Sequence, residues 1–268
     1  MEIFIKIYVF IIGMIFGSFF NVCIFRIPEK RSVSNPPSHC PNCNTRLKPK
    51  DLVPVLSYLV SGRKCRYCKK EISSRYALVE LLTGILFLLV YNRYLIDIAT
   101  INYLVLISLL IIITFIDIDH YIIPDELVII GSIFAIIFNL IFKVITIKES
   151  LLGALVCGGG ILILVYIIEF IVKKEVMGGG DIKLFAMIGL FFGVKNSLLV
   201  ALLSVYVGAA FGIITIVYSK IKKQEYNSMI PYGPFISVAT LIVMLYGNEI
   251  VNWYLNLIKL LINNFTIN

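Results

Sequence analysis

The sequence contains few charged residues. Asp, Glu, Lys and Arg make up 15% of its 268 residues, whereas 59% of the residues are hydrophobic and the mean hydropathy is +0.95. A soluble domain has about a quarter charged and about half apolar residues. The shortage of charge argues against an ordinary cytosolic enzyme, and the excess of Ile, Leu, Val and Phe excludes a disordered chain. The composition is typical of a polytopic membrane protein.

Long apolar runs predict the membrane helices. With spans of roughly 17 to 25 residues as the template, the sequence predicts eight helices, over 3–24, 77–92, 100–118, 126–146, 150–172, 182–196, 197–219 and 231–263. The last run is too long for one simple span, and its prolines predict a short broken piece before the final helix. The predicted fold class is all-α, a polytopic membrane protein of about eight transmembrane helices.

Basic residues are concentrated in one segment, which predicts the orientation in the membrane. Residues 26–75 hold 12 of the 24 Lys and Arg and six of the nine Pro. Placing this segment in the cytoplasm puts the N-terminus outside and gives 18 basic residues inside against five outside, as the positive-inside rule requires. The first apolar segment is also compatible with a cleaved signal peptide, but the basic residues directly after it favour a retained anchor. The net charge of +8 therefore indicates orientation, and no nucleic-acid partner is predicted.

Four cysteines in the same segment predict a metal site. Cys40 and Cys43 form one CxxC pair, Cys65 and Cys68 form another, and 21 residues separate the pairs. Two such pairs can place four thiolates around a tetrahedral zinc ion, which leaves no open position for a substrate, so the zinc is predicted to be structural. Disulfides or a redox motif are the alternative, but the predicted cytoplasmic location argues against disulfides.

Acidic residues at the ends of apolar helices predict a chemical site. Asp117 follows an uninterrupted apolar run. Asp181 follows three glycines, Gly178, Gly179 and Gly180, which are expected to free the backbone to turn sharply, and it lies where the predicted helix at 182–196 begins. The predicted topology places both acids at the cytoplasmic face, where they can share a proton and activate a water. Alternatives stay open at this point: Asp181 as a helix cap, Asp117 as a solvated loop residue, or both in proton or ion transport.

Six motifs follow one another along the chain. They are GSFFNVCIFRIP at 17–28, the two CxxC pairs, RYALVELLTG at 75–84, the segment from Asp117 to Asp125, GGGDIK at 178–183 and PYGPF at 231–235. This ordered set resembles the bacterial type IV prepilin peptidases, or leader peptidases, which are GxGD aspartic proteases. The similarity spans nearly the whole chain, and the ordered set is far more specific than GxGD alone.

The resemblance implies an enzyme that cuts the basic leader from prepilins and pseudopilins at the cytoplasmic membrane face. It also implies N-methylation of the new N-terminal residue with S-adenosylmethionine as methyl donor. The catalytic acids carried over are Asp117 and Asp181, with Asp119 as the main rival of Asp117, and the active-site loop is Gly178, Gly179 and Gly180. The four cysteines match the zinc-binding form of the family's loop, and the methyl-transfer residues are expected near 17–80.

The implied organisation has three parts in the bacterial inner membrane. Residues 1–25 are the first transmembrane helix, 26–76 the cytoplasmic four-cysteine zinc loop and 77–268 the transmembrane peptidase core. Expected partners are the prepilin or pseudopilin substrate and the lipid bilayer. A transporter would also have intramembrane acids but has no need of a four-cysteine loop, and a zinc-bearing membrane scaffold would leave the acids structural.

Overall fold

Helices account for about three quarters of the described chain, 76%. The computed structural model describes residues 2–222 and 230–266, with side chains through residue 259. The helices are α1 (Glu2–Arg26), α2 (Leu56–Val60), α3 (Ser74–Tyr94), α4 (Ile98–His120), α5 (Asp125–Phe142), α6 (Ile147–Ala154), α7 (Gly160–Val172), α8 (Gly179–Lys222) and α9 (Gly233–Thr266). A π-helical turn, Leu155–Gly159, joins α6 to α7. Within the described residues, seven helices are long and apolar enough to cross a membrane when α6, the π-helical turn and α7 are counted as one (Ile147–Val172). This confirms the predicted all-α membrane fold.

Helix α8 is long enough to contain two of the eight predicted spans. Its 44 residues would extend about 66 Å at 1.5 Å per residue, about twice the ~30 Å hydrocarbon core of a bilayer. Gly193 interrupts the helix with φ 70° and ψ −174°, a conformation that glycine adopts without the steric penalty of a side chain. The two predicted helices 182–196 and 197–219 are therefore present, but their junction lies at Gly193.

The last apolar run forms one helix where a break was expected. Helix α9 continues from Gly233 through Gly247 and Asn248, so the prediction of a broken piece is wrong over the described residues. Pro231 precedes the helix and Pro234 is its second residue. Proline is tolerated in the first turn because the amide that it lacks has no helical acceptor there.

The first of two compact units, Met1–Val144, is built on close contact between α1 and α3. A Cβ atom added at Gly13 would lie 2.8 Å from Gly84 Cα, and one at Gly17 would lie 2.7 Å from Glu80 Cα. Small residues four apart let membrane helices approach backbone to backbone. The α1–α3 pair brings the two ends of the intervening loop to the same end of the helices, and α4 packs against both helices.

The second compact unit, Ile145–Asn268, begins inside the segment predicted as one membrane core. Here α6 packs on α8, and a Cβ atom at Gly153 would overlap the carbonyl oxygen of Gly189. The Ser150 hydroxyl donates a hydrogen bond to the Leu190 carbonyl at 2.7 Å. The backbones of α6 and α8 are thus in direct contact, and α9 also packs against α8.

Candidate functional site

The two cysteine pairs form turns of the same construction. The amide of Asn44 donates to the Cys40 carbonyl at 2.9 Å, and the amide of Lys69 donates to the Cys65 carbonyl at 2.9 Å. Asn44 and Lys69 both have positive φ, 53° and 62°. Each turn therefore reverses the chain directly after its second cysteine and places its two thiols on one side.

The turns bring the four sulfurs together. The Sγ atoms of Cys40, Cys43, Cys65 and Cys68 all lie within 4.8 Å of one another, and those of Cys40 and Cys68 are 3.9 Å apart. Four sulfurs bound at 2.3 Å to a tetrahedral ion are about 3.8 Å apart, whereas a disulfide bond is about 2.05 Å long. All four cysteines are free thiols. The cluster could hold a metal ion, as predicted, and the disulfide alternative does not describe this structure.

Local hydrogen bonds favour the charged form of one of these thiols. The side chain and backbone of Thr45 lower the pKa of Cys43 to about 6. Metal ions bind cysteine as the thiolate. The turn around Cys43 therefore favours the thiolate at that position. At Cys68, by contrast, the hydrogen bond from the Lys70 amide is outweighed by burial and by hydrogen bonds with the other cysteines, which raise the pKa of Cys68 to about 11.

Asp51 connects the two cysteine turns, a role that the sequence analysis missed. Its Oδ2 accepts hydrogen bonds from the Lys48 amide at 3.1 Å and the Tyr67 hydroxyl at 2.8 Å. Its Oδ1 lies 3.1 Å from Arg66 Nε, and the carboxylate is 8% exposed. Burial acts to raise the pKa of Asp51, but the hydrogen bonds from Tyr67 and Lys48 and the charge of Arg66 outweigh it and lower that pKa. Because Arg66 and Tyr67 are the middle residues of the second CxxC pair, Asp51 fixes that pair to the segment after the first.

Polar residues near the ends of α1 and α3 bind the two ends of the four-cysteine loop. The buried guanidinium of Arg26 donates to the carbonyls of Ser32 and Pro36 at 2.9 and 2.8 Å. The Asn21 amide group donates to the Tyr76 carbonyl at 3.0 Å. The loop is therefore attached to both helices by buried polar groups as well as by the chain itself.

The two candidate acids at the end of α4 have different surroundings. Asp117 is 5% exposed, whereas the Asp119 side chain is 31% exposed and its Oδ1 lies 2.6 Å from Arg75 Nη1. Arg75 also donates to the Phe115 carbonyl at 3.0 Å, and its guanidinium lies 5.1 Å from the centre of the Phe115 ring. Residues two apart on a helix do not share a face. The ion pair gives Asp119 a structural role, which favours Asp117 as the reactive acid.

Asp181 lies inside the first turn of α8. The helix begins at Gly179, so the N-cap interpretation of Asp181 is not supported, and a carboxylate in a first turn interacts favourably with the helix dipole. A Cβ atom at Gly178 would lie 3.4 Å from Asp181 Oδ2, and one at Gly179 would meet nothing within 4 Å. Neither of these glycines has a positive φ. Contrary to expectation, they are not required for a sharp turn; they leave the backbone beside Asp181 uncovered.

Tyr232, in the late PYGPF motif, lies within electrostatic range of Asp181. Burial raises the pKa of Tyr232, the hydrogen bond with Ser204 opposes this, and the Asp181 carboxylate raises that pKa further. The Tyr232 hydroxyl is 3.0 Å from Ser204 Oγ. The hydroxyl group of this motif is therefore held by Ser204 and is influenced by the charge of Asp181 within the second unit.

Each predicted acid is thus placed in its own unit, Asp117 in the first and Asp181 in the second. Their predicted pairing joins residues of two units, and it stays a prediction. The four cysteines, by contrast, are brought together within the first unit, as the spacing predicted.

Two protein families match consecutive parts of the chain. Residues 11–94 match the bacterial peptidase A24 N-terminal domain, and residues 104–213 match the type IV leader peptidase family. The first match contains the four cysteines and Arg75. The second contains Asp117 and Asp181.

Curated relatives match over nearly their full length. The prepilin leader peptidase/N-methyltransferase of Aeromonas salmonicida is 33% identical over 93% of this chain and 94% of its own length. The proteins of the same name from Bacillus subtilis and Pseudomonas aeruginosa are 35% and 31% identical. They align with 92% and 91% of this chain and with 97% and 91% of their own lengths. No solved structure matches the chain.

Proposed function

The chain belongs to the type IV leader peptidase family, and we propose that it cleaves the leader peptides of type IV prepilins and pseudopilins and N-methylates the new N-terminus. The full-length similarity to prepilin leader peptidase/N-methyltransferases supports both activities. The structural observation that carries the peptidase proposal is the burial of Asp117 at the end of an apolar helix. Ionisable groups in such positions are costly, and they mark functional sites in membrane proteins.

In the proposed mechanism, Asp117 and Asp181 act together on one water molecule. Two carboxyl groups that share a site hold one proton between them. The ionised carboxylate removes a proton from water as its oxygen attacks the scissile carbonyl carbon, and the protonated carboxyl donates to the carbonyl oxygen. Collapse of the tetrahedral intermediate then breaks the C–N bond. The departing amine takes up the proton that the carboxylate removed from water, and the proton on the former carbonyl oxygen returns to the carboxyl pair.

The surroundings of Asp181 suit an extended peptide substrate. Gly178, Gly179 and Gly180 present backbone without side chains, so a substrate strand can approach the main chain closely. A prepilin has a basic leader followed by an apolar helix, which would place its scissile bond at the cytoplasmic interface. The basic-residue count supports an N-terminus outside and an active site at that face of the bacterial inner membrane.

We also propose zinc as the metal of the four-cysteine cluster. Four thiolates with no open position form a structural zinc site. S-adenosylmethionine would supply an electrophilic methyl group for the amine that cleavage exposes. The functional division we propose is a first transmembrane helix at 1–25, a zinc loop at 26–76 and a peptidase core at 77–268.

Cleavage of a prepilin-like peptide by the purified protein tests the peptidase proposal. We expect the wild-type chain to cut the peptide after the basic leader and to add one methyl group, read by mass spectrometry. Asp117→Asn and Asp181→Asn should each lose cleavage while retaining bound metal, since the cysteine cluster lies elsewhere in sequence.

Two variants serve as matched controls for those substitutions. Asp119→Asn removes the acid two residues from Asp117, and Glu126→Gln removes an exposed acid at the start of α5. Both should cleave at rates close to wild type. Substantial cleavage by either Asp117→Asn or Asp181→Asn would refute the role of that acid, and cleavage by both would refute the whole site assignment. A wild-type chain that binds the peptide but never cuts it would favour a scaffold.

A further inference from the structure

Helix α2, in the four-cysteine loop, exposes apolar side chains on one face. Leu56, Leu59 and Val60 are 60%, 57% and 76% exposed, and residues three and four apart on a helix lie on the same face. Ser57 and Ser61 are half-buried and line the cavity between the loop and the ends of α1 and α3. The helix thus directs hydroxyl groups inward and leucine and valine outward, the reverse of a helix on the surface of a soluble protein.

A hydrogen bond attaches α2 to the side of α3. Val55, directly before α2, donates its amide to Glu80 Oε2 at 2.7 Å, and the Ser18 hydroxyl of α1 donates to the same carboxylate. Glu80 is 8% exposed, and a Cβ atom added at Gly17 would lie 2.7 Å from Glu80 Cα. The start of α2 is therefore held against the membrane helices themselves, at the point where α1 and α3 are closest.

The position of Glu80 along α3 sets the depth of α2. Glu80 is the seventh residue of α3, so its Cα lies about 9 Å from the start of the helix at 1.5 Å per residue. The 21 residues of α3 extend about 32 Å, close to the ~30 Å hydrocarbon core of a bilayer. Helix side chains lean toward the N-terminus, so the Glu80 carboxylate lies beside the first two turns of α3. This is the depth at which interfacial helices bury their apolar face, about 5–10 Å into the boundary between headgroups and acyl chains.

The surroundings of α2 match those of a lipid-facing segment. Leu78 and Leu81, close to Glu80 in α3, are 55% and 43% exposed, so α3 also presents apolar side chains outward at this depth. Lys50 and Arg63 flank α2 in the sequence and are exposed. Basic side chains beside an apolar face attract anionic headgroups, whereas they would repel the basic leader of a prepilin. Charge therefore favours lipid over the substrate as the partner of this face.

We propose that α2 is an interfacial helix whose Leu56, Leu59 and Val60 insert among the acyl chains of the cytoplasmic leaflet. The inference goes beyond the proposed peptidase and methyltransferase activities and depends on neither. The loop predicted to be cytoplasmic therefore has one short segment in the membrane. This segment is a third attachment of the loop, between the attachments at its two ends.

Quenching of tryptophan by brominated lipid, in vesicles that contain the full-length protein, tests the proposal. Trp253 is the single tryptophan of the chain, so Leu59→Trp in a Trp253→Phe background reports on α2 alone. We expect its emission at a shorter wavelength than that of tryptophan in water. Lipid brominated near the headgroup should quench it more than lipid brominated near the end of the acyl chain. Arg46→Trp in the same background is the control, at an exposed position of the loop outside α2, and both lipids should quench it less.

The other possible partners of this face give different results. Equal quenching of Leu59→Trp and Arg46→Trp, or quenching of neither, would overturn the proposal. Emission of Leu59→Trp that resists brominated lipid but shifts to shorter wavelength when a prepilin-like peptide is added would overturn it and assign the face to the substrate. Emission that shifts to longer wavelength when the protein is diluted in lipid would overturn it and assign the face to a second copy of the chain.

A second measurement has opposite expectations for water and for lipid. In water, replacement of exposed leucines by glutamine changes stability little, whereas in lipid it removes a favourable apolar contact. Amide exchange of residues 52–62 in vesicles should therefore be faster in Leu56→Gln/Leu59→Gln than in wild type. Val33→Gln changes an exposed apolar residue of the loop outside α2 and should leave that exchange unchanged. Wild-type exchange in the double variant would overturn the proposal. Neither measurement uses catalysis, so failure of the proposed function and failure of this inference are seen separately.

Discussion

The four-cysteine loop and the α6–α8 contact are held together in opposite ways. In the loop, Asp51 links Arg66 and Tyr67 through charge and hydrogen bonds, and four thiols converge on one point. Between α6 and α8, Gly153 meets Gly189 with no side chain between the backbones. The loop depends on particular polar groups and contains four thiols that could hold a metal ion, whereas the helix contact depends on glycines that have no side chain.

The difference follows from the surroundings of the two regions. In water, polar side chains can form networks whose members are partly hydrated. In a bilayer, apolar side chains gain little by leaving lipid, so close backbone packing supplies much of the association of helices. We expect the loop to respond to chelation and to charge changes, and the helix contact to respond to any added side-chain volume.

Metal removal should produce the largest effect, and it should be confined to the loop. Structural tetrathiolate zinc contributes about 10–16 kcal/mol to small zinc-binding peptides, so a chelator should leave residues 27–73 largely unprotected. Hydrogen–deuterium exchange with mass spectrometry checks this on the full-length protein, and protection should return when zinc is restored. Equal loss of amide protection in α8, or an unchanged exchange rate in the loop, would contradict the expected difference between the two regions.

A single methyl group should disrupt the α6–α8 contact. Gly153→Ala places a Cβ where the Gly189 carbonyl oxygen already lies, and overpacking of this kind costs about 1–3 kcal/mol. Thermal unfolding in detergent should show a lower midpoint. Gly160→Ala is the matched control, since nothing lies within 4 Å of the added atom and alanine is the better helix former. Equal midpoints for the two variants would contradict the account of this contact.

Loss of the Asp51 carboxylate should weaken the metal site without removing a ligand. Asp51→Asn breaks the ion pair with Arg66 and weakens the link to Tyr67, and groups that orient metal ligands contribute about 10–100-fold to metal affinity. Competition with a chromophoric chelator measures the change, with Glu71→Gln as the control from the same loop. An unchanged affinity would show that the two turns hold their geometry without Asp51.

The Arg75–Asp119 ion pair should contribute least. Its side chains are 36% and 31% exposed, and exposed pairs are worth about 1 kcal/mol or less. A double-mutant cycle with Arg75→Gln and Asp119→Asn should give a coupling free energy of unfolding in that range. A much larger coupling would mean that this polar contact, like the cysteine cluster, is essential to the first unit.

Most of the helices and the cluster of four cysteines were predictable because the helices leave long apolar runs and the cysteines are closely spaced in pairs. The thickness of a bilayer sets the length of apolar runs, and all eight predicted spans are present when α8 is divided at Gly193. CxxC turns are local, so the convergence of Cys40 with Cys65 could be predicted from their spacing.

The remaining features depend on how distant segments meet. Asp51 is an isolated acid in a basic loop, and only the path of the loop shows that it faces Arg66. The pairing of Arg75 with Asp119 requires the packing of α3 on α4, which hydropathy does not specify. The run from Gly178 to Gly180 was expected to allow a sharp turn of the backbone. Gly178 and Gly179 have no positive φ, however, and their effect is to leave the backbone beside Asp181 without covering side chains.

The rate of leader cleavage by the double variant Asp117→Asn/Asp181→Asn tests the central claim most directly. Each single substitution should reduce kcat/KM by about 10²–10⁴-fold or more. When two groups act as one unit, removing both lowers the rate no further than removing one. We therefore expect the double variant to cleave no more slowly than the slower single variant. Substantial cleavage by either single variant, or losses that multiply in the double variant, would contradict it.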